Sequence, residues 1–153
     1  MDPLYTVERT YPQSVEVVWH AWTDADELEQ WYAPVELSVV PGSVTSEARE
    51  GGAWSVGVDV PMHGFVAWFF GRYTEVVPHQ RLAHTMHYTQ DEDDFLARRE
   101  EADPHTVTID LAETPEGTWV RWQQFGFLPE EQVPATKAGM ESYFESLARH
   151  LDR

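Results

Sequence analysis

The spacing of apolar residues changes along the first third of the chain, and each spacing predicts a different element. Residues Tyr5–Tyr11 alternate between two sets of side chains, which predicts a β-strand that ends at Pro12. The next apolar residues fall at i, i+3, i+4 and i+7, the stripe of an amphipathic helix: Val15, Val18, Trp19 and Trp22. Thr23–Glu27 supplies N-cap and acidic first-turn residues for a second short helix, which runs through Trp31 and is closed by Pro34.

From Val35 to Phe127 the pattern is typical of strands separated by short turns. We predict strands at Ser43–Ala48, Ala53–Val60, Phe65–Val77, Leu82–Thr89, Thr106–Leu111 and Thr118–Phe125. The glycine-containing segment Arg49–Gly52 predicts a hairpin turn between the first two, and Thr114–Gly117 joins the last two. The acidic segment Gln90–His105 has no predicted strand and no assigned role, and one helical turn is predicted near Phe95–Glu101.

The C-terminal segment Ala135–Leu151 returns to a helical spacing. Its apolar stripe consists of Met140, Tyr143, Phe144, Leu147 and Leu151. Gly139 lies inside this helix, where glycine costs about 1 kcal/mol relative to alanine, and we expect close approach to the sheet or to a ligand to compensate. The order of elements predicts one α+β domain over residues 1–153, a curved antiparallel sheet wrapped around a long C-terminal helix. A deeply curved sheet would leave a cavity between itself and that helix.

Composition and charge limit the classes of partner. The 153 residues are 42% hydrophobic and 13% aromatic, enough for one domain with a substantial core. The net charge of −17 repels phosphate backbones and anionic lipid surfaces, so neither nucleic acid nor a membrane is an expected partner. Met1–Leu4 does not resemble a signal peptide, and no apolar run is long enough to span a bilayer, so we expect a cytoplasmic protein. The acidity itself has two explanations, the codon usage of a GC-rich genome and adaptation to salt.

Motifs for metal, phosphate or thiol chemistry do not fit. The chain has no cysteine, which excludes disulfides and zinc–thiolate sites. Gly52–Gly57 has the glycine spacing of a phosphate-binding loop, but Val58 and Asp59 follow where Lys and Ser or Thr are required. His84 and His87 lie three residues apart on one predicted strand and so point to opposite faces, which prevents them from binding one metal ion. We therefore predict no metal and no cofactor.

Several segments, spread over nearly the whole chain, resemble those of one protein family. They are Val7–Tyr11, Val17–Asp24, Trp31–Pro34, Glu50–Trp54, Phe69–Tyr73, Val77–Pro78, Arg81–Leu82 and Gly126–Phe127. In content and order they are similar to AHSA-type domains, bacterial relatives of the heat-shock-chaperone ATPase activator within the START-like (SRPBCC) superfamily. The resemblance implies a helix-grip fold with an internal hydrophobic pocket and two short helices after the first strand. Superfamily members carry lipids, bind aromatic metabolites, cyclise polyketides or assist chaperones, so the resemblance leaves the function open.

The alternation of faces along each strand indicates which side chains would line the predicted cavity. Together with the C-terminal helix, the inward faces give this expected wall: Trp54, Val56, Val58, Phe69, Tyr73, His84, Met86, Tyr88, Trp122, Gln124, Met140, Tyr143 and Phe144. The wall is mostly apolar and carries the polar groups of Tyr73, His84, Tyr88 and Gln124. An apolar concavity with a few polar groups is typical of a small-molecule site.

Three classes of function follow, and the sequence favours the first. The first is binding, without catalysis, of a small hydrophobic molecule of aromatic or lipid-like character. The second is an enzyme of the polyketide cyclase, dehydratase or hydrolase type, in which His84 with Tyr73 or Tyr88 would transfer protons. The third is a chaperone cofactor or a stress-related protein-interaction module, which would require Trp19, Trp22 and Trp31 to be exposed. The ligand, any catalysis and a homodimeric state are not determined by the sequence.

Overall fold

One strand and two short helices open the chain, as the spacing predicts. The computed structural model describes all 153 residues. Strand β1 (Tyr5–Tyr11) is followed by helix α1 (Val15–Thr23) and helix α2 (Ala25–Trp31). Ser14 caps α1 and Asp24 caps α2, because each side chain accepts a hydrogen bond from a backbone N–H in the first turn of its helix.

Eight antiparallel strands form one curled sheet in the order β1-β8-β7-β6-β5-β4-β2, and β3 also pairs with β4. The strands after β1 are β2 (Ser38–Val39), β3 (Thr45–Ser46), β4 (Ala53–Val60), β5 (Phe65–Val77), β6 (Arg81–Thr89), β7 (His105–Thr114) and β8 (Gly117–Phe125). Strand β1 joins the sheet beside β8, so both ends of the chain meet at this edge. A register shift between Tyr73 and Glu75 interrupts the β5–β6 ladder, and such irregularities increase the local bend of a sheet.

Helix α4 (Val133–Leu151) packs in the concave face of the sheet. Its buried side chains, Met140, Tyr143, Phe144 and Leu147, lie on one stripe. The helix is held by specific polar contacts, since the Tyr11 hydroxyl donates to the carbonyl of Phe144 over 2.9 Å and the Ser146 hydroxyl donates to the carbonyl of Ala33. The predicted α+β helix-grip arrangement is thereby confirmed. None of the helices is both long enough and apolar enough to cross a membrane.

Aromatic side chains fill the centre of the core between the sheet and the helices. Trp22 lies at its middle, with four aromatic rings within 6.3 Å of its own: Trp31, Tyr32, Trp122 and Phe144. Trp19 packs edge-on against His79 at 6.0 Å. Because Trp22 and Trp31 are buried and Trp19 is half-buried, the three tryptophans of the two short helices do not form an exposed interaction surface.

A second, smaller apolar cluster lies on the opposite face of the sheet. The acidic segment contains helix α3 (Glu92–Leu96), which begins before the predicted helical turn because Asp91 caps it. Phe95 of α3 stacks on Trp68 with ring centroids 4.5 Å apart and contacts Phe70 at 6.1 Å. The acidic segment therefore covers apolar side chains on the outer face of β5.

Two predicted strands differ in length from the observed ones by more than one residue. The strand predicted at Ser43–Ala48 pairs only at Thr45–Ser46, because the Ser43 side chain accepts from the N–H of Gly57 and replaces a ladder contact. Strand β7 is longer than predicted, since its pairing with β8 continues to the turn.

Candidate functional site

A cavity of about 140 Å³ lies between the sheet and the N-terminal half of α4. Its wall comprises Tyr5, Tyr32, Phe69, Met86, Trp122, Gln124, Thr136, Gly139, Met140 and Tyr143. Seven of these ten residues are hydrophobic, and none carries a charge. Because a protein cavity of about 150 Å³ can hold benzene, this one has the size of a single aromatic ring.

Gly139 helps to create this space. A Cβ atom at position 139 would meet nothing within 4 Å, so the missing side chain leaves the helix surface open. The sequence predicts either the sheet or a ligand near this glycine. The structure has no protein atom within 4 Å of a Cβ at this position, so the prediction of close approach to the sheet is wrong. Gly139 instead lies on the cavity wall.

A chain of hydrogen bonds connects one end of the cavity with the loop that precedes α4. The indole Nε1 of Trp122 donates to the Tyr5 hydroxyl, which in turn donates to Oε1 of Gln124. Nε2 of Gln124 donates to Nδ1 of His105 over 2.8 Å, and Nε2 of His105 donates to the carbonyl of Phe127. Both ends of the Gln124 amide are therefore occupied within the protein, as expected for a buried polar group.

The hydroxyl groups of Tyr32 and Tyr143 differ from those of the other four tyrosines. The others have protein partners: Tyr5 with Gln124, Tyr11 with Phe144, Tyr73 with Ser46 and Tyr88 with Gln90. Tyr32 and Tyr143 pack edge to face with ring centroids 4.9 Å apart, and their hydroxyls make no hydrogen bond to the protein. Burial raises the pKa of both phenols, and the nearness of other tyrosines raises it further. Both hydroxyls therefore keep their protons at neutral pH.

The thirteen residues of the expected wall fall into two groups in the structure. Six line the cavity: Phe69, Met86, Trp122, Gln124, Met140 and Tyr143. Seven lie elsewhere: Trp54, Val56, Val58, Tyr73, His84, Tyr88 and Phe144. Six of these seven are buried in the packed core. Tyr88 is 42% exposed and its ring lies against Phe69.

His84 lies in a tightly packed region away from the cavity. Its ring stacks on Trp54 with centroids 4.2 Å apart, and its Nδ1 donates to the carbonyl of Thr85. Burial lowers the pKa of His84 to about 4, against the opposing effect of the Thr85 carbonyl, so the imidazole is neutral at pH 7. The space beside His84 and Tyr73 is only about 10 Å³, room for about one water molecule. Neither side chain lines the larger cavity.

The second strand histidine, His87, faces the other side of the sheet. Its ring stacks on Phe70 at 5.0 Å, and its Nδ1 accepts from the N–H of Glu101. The opposite orientation of His84 and His87, predicted from strand geometry, is present in the structure, and the two rings cannot hold one metal ion.

Four wall residues are absent from the set expected from the sequence: Tyr5, Tyr32, Thr136 and Gly139. Two of them carry a usable signal. Tyr5 shares its strand face with buried Val7, and Thr136 lies one helical turn before Met140 on the apolar stripe. Tyr32 follows the end of α2, where no periodic pattern reports the direction of a side chain.

Comparison with known proteins decides the family. The family model described as "Activator of Hsp90 ATPase homolog 1-like protein" matches residues 12–152. The chain belongs to this AHSA1 family. The resemblance seen in the sequence is thus confirmed, and membership suggests a ligand-binding domain or a chaperone-related interaction. No curated protein sequence matches the chain significantly.

Solved structures with the AHSA1-type fold cover nearly the whole chain. The AHSA1 protein SPO3351 from Silicibacter pomeroyi is 22% identical with a TM-score of 0.80, over 97% of this chain and 96% of that one. Protein CV1439 from Chromobacterium violaceum is 24% identical with a TM-score of 0.76, over 95% and 94%. DynU16, a protein in the dynemicin biosynthetic locus, is 22% identical with a TM-score of 0.70, over 96% of this chain and 46% of that one. These likenesses establish the fold.

Proposed function

We propose that this AHSA1-family protein binds a small, uncharged aromatic molecule in the cavity beneath α4 and does not transform it. The observation that carries the proposal is a space of about 140 Å³ whose wall is largely hydrophobic. Transfer of an aromatic ring from water into a cavity with such a wall is favourable, and the free energy gained is proportional to the apolar area that becomes buried.

Size favours a single ring over a lipid. Sites for drug-sized ligands occupy about 300–1,000 Å³, well above the volume of this cavity. The wall offers the rings of Phe69, Trp122, Tyr32 and Tyr143, whose edges and faces suit an aromatic partner. An acyl chain or a sterol would fit only after the core had expanded.

Charge favours a neutral ligand. No Arg, Lys or His lines the cavity, so a bound carboxylate would be buried without a counter-charge. The protein's net charge of −17 also opposes the approach of anions. Both effects select against fatty acids and aromatic acids.

The two other functions have less support from the arrangement of residues. The proton-transfer groups expected of an enzyme are His84 with Tyr73 or Tyr88. His84 and Tyr73 border a space for about one water molecule instead of the cavity, and Tyr88 lies outside the cavity wall. The interaction surface expected of a chaperone cofactor would need Trp19, Trp22 and Trp31 to be exposed, and Trp22 and Trp31 are buried.

A leucine at position 139 tests the proposal because its side chain would fill the cavity from the helix side. We expect wild-type protein to bind α-methylstyrene saturably at one site in isothermal titration calorimetry. Gly139→Leu should weaken this binding by at least about tenfold, since the ring and the new side chain compete for one space. Ala138→Leu is the matched control, because Ala138 is exposed on the same helix.

The same experiment can contradict the proposal. Equal affinity in Gly139→Leu and wild type would place the ligand outside the cavity. Thermal unfolding of both leucine variants shows whether each has retained its fold.

A further inference from the structure

We infer that the cavity recognises an aromatic carbonyl compound, whose oxygen accepts hydrogen bonds from the hydroxyls of Tyr32 and Tyr143. This inference rests on the proposed binding function and names the chemical class of its ligand. It depends on the contrast between these two hydroxyls and all other polar groups of the cavity wall.

The protein supplies no hydrogen-bond partner for these two hydroxyls, although the tyrosines that carry them are largely buried. Tyr32 is only 3% exposed and Tyr143 only 9% exposed. A buried hydroxyl without a hydrogen bond loses the free energy of its contacts with water, so buried polar side chains are normally paired. Neither hydroxyl is among the enclosed polar atoms that lack a partner, so both have accessible surface, and both residues line the cavity. Their partner is therefore a molecule that enters from outside the chain.

The remaining polar groups of the wall are already engaged. The Gln124 amide is bonded at both ends, to Tyr5 and to His105. The Thr136 hydroxyl donates to the carbonyl of Gln132 over 3.0 Å. The groups left free are therefore the two phenolic hydroxyls.

The chemistry of these hydroxyls selects the ligand group. Both phenols remain protonated at neutral pH, so each can donate. Their rings are in contact, with centroids 4.9 Å apart, and both belong to the wall of one cavity. A carbonyl oxygen has two lone pairs and no proton, so it can accept from both donors at once. A carboxylate would also accept, but it would bring a charge into a wall that holds no cation.

Two ligands of nearly the same shape separate recognition of the oxygen from recognition of the ring. Acetophenone and α-methylstyrene differ in whether a carbonyl oxygen or a methylene group is attached to the same carbon. We expect wild-type protein to bind acetophenone about tenfold more tightly in calorimetry, and benzoate more weakly than either.

Removing each hydroxyl in turn tests the residues. Tyr143→Phe and Tyr32→Phe should each weaken acetophenone binding by about 3- to 10-fold and leave α-methylstyrene binding unchanged. Tyr88→Phe is the matched control, because that hydroxyl accepts from Gln90 and lies outside the cavity wall. The melting temperature of Tyr143→Phe and Tyr32→Phe should be unchanged or higher, since no protein hydrogen bond is lost.

The outcomes distinguish this inference from the proposed function. If both neutral ligands bind wild type equally and the phenylalanine variants leave their ratio unchanged, the carbonyl assignment is wrong and aromatic binding stands. If neither ligand binds, the proposed function is wrong as well. Tighter binding of benzoate than of acetophenone, or a lower melting temperature in either variant, would also overturn the carbonyl assignment.

Discussion

Single residues determine where the interior of this protein is filled and where it is open. Val56 and Phe69 are directly paired neighbours on β4 and β5, yet only Phe69 reaches the cavity. The difference comes from α4, whose small residues Thr136 and Gly139 face one end of the sheet and leave space there. The alternation of faces along a strand predicts which residues point inward. The alternation does not indicate the distance between each inward-pointing residue and the helix above it, because this distance depends on contacts between segments far apart in the sequence.

At the residue scale, the buried imidazole of His84 should make stability depend on pH. Its pKa of about 4 in the folded state lies below the ordinary value of about 6.5, so the unfolded chain binds the proton more tightly. The stabilisation is complete above pH 6.5 and is lost as the pH falls towards 4, by up to about 3 kcal/mol.

The measurement is urea unfolding of wild type and His84→Phe between pH 7 and pH 4. Phenylalanine can keep the stacking on Trp54 but cannot titrate, so the variant should lose less stability than wild type over this interval. Identical slopes in the two proteins would show that His84 is not responsible.

At the scale of elements, the end of α2 positions one of the two free hydroxyls. Tyr32 immediately follows α2, and its backbone N–H bonds to the carbonyl of Leu28. The start of the helix is capped by Asp24, whose side chain accepts from the N–H of Glu27 over 3.1 Å. The sequence places the N-cap only within Thr23–Glu27, and only the packed structure reveals that the opposite end of the helix contributes to the cavity.

Loss of the Asp24 cap should therefore weaken the protein. Asp24→Ala should reduce the free energy of unfolding by about 1 kcal/mol, the usual effect of removing an N-cap. Asp26→Ala is the control, because Asp26 is exposed in the first turn and its side chain caps nothing. Equal losses in both variants, measured by urea unfolding, would contradict a specific role for the cap.

The acidic segment illustrates what element prediction could not supply. Its sequence predicts no strand, one helical turn and no role, whereas Phe95 of α3 covers Trp68 and Phe70. The continuous apolar run Phe65–Phe70 indicates that both faces of β5 are buried. Which distant residue covers the outer face depends on the path of the chain after β6, and no local spacing encodes that path.

At the scale of the whole molecule, the order of elements predicts the fold well. One strand, two short helices, consecutive antiparallel strands and a long final helix permit few arrangements that bury every apolar face. Charge acts at the same scale, since the excess of acidic side chains lies outside the cavity wall and opposes anionic ligands. The ligand is less predictable, because it depends on a space of about 140 Å³ formed by several distant segments.

The four methionines allow the most direct test of aromatic binding in this cavity. Met86 and Met140 line its wall, whereas Met1 and Met62 are exposed and serve as internal controls. Wild-type protein with ¹³C-labelled methionine methyl groups would be titrated with acetophenone and followed by NMR. The ring current of a bound aromatic molecule should shift the Met86 and Met140 signals saturably and leave those of Met1 and Met62 in place. Unchanged Met86 and Met140 signals at saturating ligand, or equal shifts of all four, would contradict the account.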